Sequence, residues 1–150
     1  MTSPNRIQWL SDLIRLEIEL WNRIDTRLRQ AHSLSLASFE TLYFIARSRE
    51  GSLRVGDLAG ALRITQGATS KLVDRVEAAG LIRRELDADD RRACRIALTD
   101  DGTRTLADAS RTYEAELTSA LDAALSPDEQ RHLHDLVTRL LATTNDGGPK

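Results

Sequence analysis

Between Val55 and Leu98 the apolar residues change from a helical to an alternating spacing, with a glycine at the changeover, and few folds accommodate that order. Val55, Leu58, Ala59 and Leu62 fit a short helix, and Arg63-Ile64 a tight turn. Thr65 is a good N-cap for a following helix, expected to run to Ala79. Gly80 then falls at the C′ position, where a left-handed backbone is needed and a side chain costs energy. Beyond it, Leu81 to Leu86 and Cys94 to Leu98 read as two short strands, the second placing Cys94, Ile96 and Leu98 inward and Arg95 and Ala97 outward. Asp87 to Arg92, polar apart from Ala88, is the exposed tip between them.

Two helices around a tight turn, followed by a hairpin with basic residues at its tip, make the element order of a winged helix-turn-helix. The expected fold is therefore mainly α with a small β-hairpin wing (α+β). On the helix starting at Thr65, a rotation of about 100° per residue puts Ala68, Leu72, Val76 and Ala79 on one face. Gln66, Gly67, Ser70, Lys71 and Asp74 fall on the other. That outer set suits a DNA major groove. Gln66 and Ser70 can exchange hydrogen bonds with base edges, Gly67 permits close backbone approach, Lys71 can meet phosphate, and the helix N-terminus adds positive partial charge. An ordinary amphipathic surface helix would look the same taken alone; the hairpin after it favours the groove. The residues assigned to DNA on this helix are Thr65, Gln66, Gly67, Thr69, Ser70, Lys71 and Arg75. On the wing they are Asp90, Arg91 and Arg92. Arg92 would enter the minor groove, Arg91 would meet phosphate, and the Asp90 carboxylate would orient the Arg92 guanidinium by paired hydrogen bonds.

The flanking segments are helical. From Ile7 to Leu28, Ile7, Leu10, Ile14, Ile18, Trp21 and Leu28 form one stripe, and Trp9, Leu13, Leu16 and Leu20 a second beside it. So wide an apolar face belongs either to a core helix or to a dimer interface. Ser35 should cap the next helix, which carries Phe39, Leu42, Tyr43, Ile45 and Ala46 to a break at Glu50-Gly51. Thr99 should cap a long helix to about Leu125. Ser126-Pro127-Asp128-Glu129 restarts with a capping box, and the last helix should end near Leu141. The expected division is residues 1–34 and 99–142 as dimerisation helices around a DNA-binding region at 35–98, with a disordered tail at 143–150.

Charge supports that division. Lysines and arginines number seven against six acidic residues over 1–53, nine against seven over 54–98, and five against ten over 99–150. Only the middle segment suits nucleic acid. No run approaches the roughly 18 apolar residues of a membrane span, and the N-terminus lacks a basic, then apolar, leader, so a cytoplasmic protein without membrane contact is expected. A single cysteine allows no intrachain disulfide. His32 sits in an expected loop, and His132 and His134 point about 200° apart on a helix, so no metal site, cofactor or catalytic constellation is expected.

Thr65 to Gly102, TQGATSKLVDRVEAAGLIRRELDADDRRACRIALTDDG, resembles the MarR family of transcriptional regulators. The most specific piece is D-x-R, five residues, then L-T-x-x-G, here Asp90, Arg92, Leu98, Thr99 and Gly102. LASFETL and RVGDLAGALRITQG are similar to the family's second and third helices, and the resemblance covers roughly residues 7 to 142. It implies an obligate homodimer, joined through its first and last helices, that binds a palindromic duplex operator. It also implies a repressor relieved by a small, often phenolic, effector bound between the dimerisation and DNA-binding regions. Arg54 departs from the pattern, standing where threonine or serine often caps the third helix. The effector-lining residues do not carry over. Some relatives sense oxidants through an N-terminal cysteine; Cys94 instead reads as a buried small hydrophobe, which leaves a thiol-based redox regulator as an alternative. A winged-helix module for protein contacts is the other alternative, and it would require an apolar outer helix face.

Overall fold

A computed structural model describes residues 5–145. The described residues form α1 (Arg6–His32), α2 (Leu36–Arg47), β1 (Ser52–Arg54), α3 (Val55–Leu62), α4 (Gln66–Ala78), β2 (Ile82–Leu86), β3 (Cys94–Leu98), α5 (Asp100–Asp122) and α6 (Pro127–Asn145). They divide into two compact units between Tyr113 and Glu114, within α5. Among them no helix is long and apolar enough to cross a membrane, and no group of three acidic, histidine or cysteine side chains could hold a metal ion.

The starts of α1, α2, α4 and α6 are chemically specified. Asn5 Oδ1 accepts from Ile7 N and Gln8 N at 3.1 and 3.2 Å, Ser35 Oγ from Ser38 N at 3.1 Å, and Thr65 Oγ1 from Ala68 N at 3.1 Å. Ser126 and Glu129 close the expected capping box, Glu129 Oε2 accepting from Ser126 N at 2.8 Å and Ser126 Oγ from Glu129 N at 3.3 Å. The Ser126 amide holds the Glu129 carboxyl below its ordinary pKa. Helix α6 continues to Asn145, past the expected stop near Leu141. The remainder of the expected tail, residues 146–150, lies outside the described residues.

The core of the N-terminal unit joins α2, α3, α4 and the sheet through Leu42, Ile45, Leu58, Leu72, Val73, Val76, Ile82 and Ile96. The sheet has three antiparallel strands in the order β1-β3-β2, with Ser52 opposite Ala97 and Ile82 opposite Leu98. Strand β1 is absent from the sequence expectation, because three residues carry no periodicity; they become a strand by pairing with β3. The expected alternation on β3 also needs correction. Ile96 is buried, but so is Ala97, which lies between Ser52 and Arg83 while the Arg95 guanidinium reaches across the same face to Ser52. Cys94 is half-buried rather than enclosed, since it pairs with the exposed Leu86 at the open end of β2.

The Leu98-Thr99-x-x-Gly102 segment joins the sheet to α5 by close contact. Thr99 Oγ1 donates to Gly80 O at 2.6 Å and accepts from Gly102 N at 3.0 Å, while Thr99 N donates to Leu81 O at 3.1 Å. A Cβ on Gly102 would lie 1.9 Å from Leu81 O, so this turn of α5 passes the Leu81 carbonyl only because residue 102 lacks a side chain.

Candidate nucleic-acid interface

Helix α4 buries Thr69, Leu72, Val73 and Val76. That stripe is displaced from the one expected: Ala68 and Ala79 are exposed, and Thr69 and Val73 take the inner positions. Thr69, assigned to DNA from the sequence, is fully enclosed and donates its hydroxyl to Thr65 O at 2.8 Å, so its side chain is unavailable to a groove. Satisfying that hydroxyl within the helix is what lets threonine act as a core residue.

Gln66, Gly67, Ser70 and Lys71 are all exposed on the opposite face. Gln66 Nε2 lies close over Gly56, 3.2 Å from where a Cβ would stand, so the start of α3 sets where this amide can point. Thr65 is exposed, but its hydroxyl oxygen is engaged as the cap. Arg75 sits at the edge of the face, where it lines a crevice with Arg29, His32, Ser38, Val76 and Leu81. Asp74 and Glu77, which would repel phosphate, are both engaged by Arg84 of β2, Glu77 Oε1 accepting from Arg84 Nε at 3.3 Å. The sequence reading missed Arg84 because its partners are seven and ten positions away on another element.

In the wing loop, Asp90 Oδ1 accepts from the Arg92 backbone N–H at 2.9 Å. The expected paired bonds to the Arg92 guanidinium are not formed: a two-residue reach closes more readily on the main chain than on the end of a long side chain. Arg91 and Arg92 are exposed. The carboxylate that organises the loop is Asp87, also missed from sequence, where it read as part of a polar tip. It is 5% exposed. Its Oδ1 accepts from Asp89 N at 2.9 Å and Asp90 N at 3.3 Å, and its Oδ2 from Arg54 Nε at 3.0 Å. The Asp89 amide, then Arg54, hold its pKa down to about 2.

A capped helix with an exposed polar face, preceded by a short helix and followed by a three-stranded sheet whose loop carries Arg91 and Arg92, defines a winged helix-turn-helix protein. Residues 32–93 match the sequence model of the MarR family. The crystal structure of Sco3205, a MarR family transcriptional regulator from Streptomyces coelicolor, in complex with DNA superposes with a TM-score of 0.80 at 27% identity, covering 95% of this chain and 88% of that one. The S. aureus MepR–DNA complex does so with a TM-score of 0.75 at 27% identity, covering 89% and 96%. The uncharacterized HTH-type transcriptional regulator YfiV of Bacillus subtilis (strain 168) is 24% identical over 119 residues, 79% of this chain and 68% of its own length. The chain is thus similar, over residues 32–93 in sequence and over most of its length in structure, to the MarR family, and Sco3205 and YfiV are described as transcriptional regulators.

Proposed function

We propose that this protein is a homodimeric, sequence-specific DNA-binding transcriptional regulator of the cytoplasm, without enzymatic activity, that represses its targets and is relieved by a small-molecule effector. The observation that carries the reading is the outer face of α4, where Gln66, Gly67, Ser70 and Lys71 are exposed while the adjacent carboxylates are held by Arg84. Ser70 and Gln66 read base edges in the major groove, Lys71 and Arg91 meet phosphate, and Arg92 enters the minor groove. That face is polar, which disfavours an apolar protein-docking module.

A second copy of the chain is the natural cover for two exposed apolar faces. On α1, Ile7, Leu10, Ile14 and Ile18 are each at least half exposed, and on α6 Leu133, Val137, Leu140 and Leu141 are also open. Residues 1–34 and 99–142 are accordingly the dimerisation segments, and residues 35–98 bind a palindromic operator. The crevice beside Arg75, about 320 Å³, is large enough for a small aromatic effector. Because Arg75 belongs to α4, an occupant there touches the recognition helix itself.

Selection from a random-sequence duplex library tests the reading. The expected product is an inverted repeat whose half-sites lie about 10 to 10.5 base pairs apart, one helical turn. No enrichment of any sequence at moderate salt would refute sequence-specific binding.

A further inference from the structure

Arg54 occupies the N-cap of α3 and makes no side-chain capping bond. It reaches instead to Asp87 at the base of the wing, with Nε 3.0 Å and Nη2 2.8 Å from Oδ2. Arg95 Nη1 approaches the same oxygen at 3.6 Å and is anchored in turn, its Nε to Ser52 Oγ and its Nη2 to Ser52 O, both at 2.8 Å, and its Nη2 to Glu50 at 3.1 Å. The other Asp87 oxygen takes the Asp89 and Asp90 amides, and Asp90 takes the amide of Arg92. One enclosed carboxylate therefore links the start of α3 to the loop that carries Arg91 and Arg92. An exposed ion pair would contribute little, but this carboxylate is shielded from water and fully engaged, so removing one partner strands the other.

We propose that Asp87, gripped by Arg54, is the positioning residue of the wing: it fixes the loop at residues 89–92 relative to α3, and through the α3–α4 turn relative to the recognition helix, before DNA arrives. Neither residue need touch a base. The loop amides are already held by Asp87 and Asp90 without DNA, so binding spends less entropy on the main chain that carries the two arginines. The inference rests on the DNA-binding reading above.

The test is affinity, by fluorescence anisotropy, for a labelled duplex that the wild-type protein selects from a random library, together with melting temperature. Removing a negative charge beside phosphate would by itself tighten binding, so a loss of affinity in Asp87→Asn reports position rather than charge. The expected loss is about tenfold. Arg54→Thr cuts the brace and leaves Asp87 short of its partner, but supplies a capping hydroxyl to α3 that offsets part of that cost, so the protein should fold with a lowered melting temperature while affinity falls by a similar factor; this variant carries the test if Asp87→Asn does not fold. Both losses should shrink below about twofold in an Arg91→Ala/Arg92→Ala background, yet multiply with Lys71→Ala. Unchanged affinity in Arg54→Thr, or losses that persist undiminished without the wing arginines, would overturn the positioning role while leaving the regulator reading intact. A wild-type protein that selects no duplex would bring down that reading, and this one with it.

Discussion

Gly102 shows how one missing side chain sets a junction. With Leu81 O 1.9 Å from the position of a Cβ, Gly102→Ala forces backbone apart at the joint between sheet and α5, and should cost about 1 to 3 kcal/mol or more in thermal unfolding. Gly60 is the control: it lies inside α3 with nothing within 4 Å of a Cβ, so Gly60→Ala should raise stability by about 0.4 to 1 kcal/mol. Asp87 makes a prediction in pH. Its folded pKa of about 2 lies below the roughly 3.9 of an unfolded aspartate, so its stabilisation is present above the unfolded value and disappears as pH falls through the folded one. Asp87→Asn should therefore lower the melting temperature at pH 7 and flatten its decline between about pH 4 and 2, with the gap to wild type closing at the acid end. Thr99 and Gly102 were legible in sequence because their spacing is a motif. The reach of Asp87 to Arg54 was not, because 33 positions of chain separate them.

At the scale of elements, α4 is where sequence periodicity succeeded in outline and erred in detail. Its start at Thr65 follows from a cap that local chemistry dictates, and its outer residues from a simple rotation. Its inner face turned toward Thr69 and Val73 because Leu42, Ile45, Leu58 and Ile96 stand on that side, and no property of the helix alone reports where its neighbours lie. The outer face predicts a salt dependence. Lys71→Ala should reduce the slope of log K against log salt by about one, measured on the selected duplex between roughly 50 and 200 mM salt, while sparing the melting temperature. Strand β1 marks the opposite limit, a three-residue element whose existence is owed entirely to its partner.

For the molecule as a whole, the open apolar faces are the dominant feature. Leu10, Ile14 and Ile18 on α1, and Val137 and Leu140 on α6, would face water in a lone chain. Ile14→Glu and Leu140→Glu should each shift the protein toward monomer in sedimentation, and both should weaken operator binding by more than the loss of any single α4 contact, because a palindrome rewards two linked subunits. A wild-type protein that sediments as a monomer at micromolar concentration would contradict the proposed dimer.

The sequence by itself determined most of the helices, the caps at Ser35, Thr65 and Ser126, the glycine-bearing junction after β3 and the order that makes a winged helix, since each is written in residues a few positions apart. Tertiary structure decided which side of α4 is buried, added β1, paired Arg84 with the carboxylates of α4, and joined Asp87 to Arg54 and to the amides of the wing loop. The reason is physical: caps, turns and amphipathic stripes are local energies, whereas a strand register or an ion pair depends on which distant segments the core brings together.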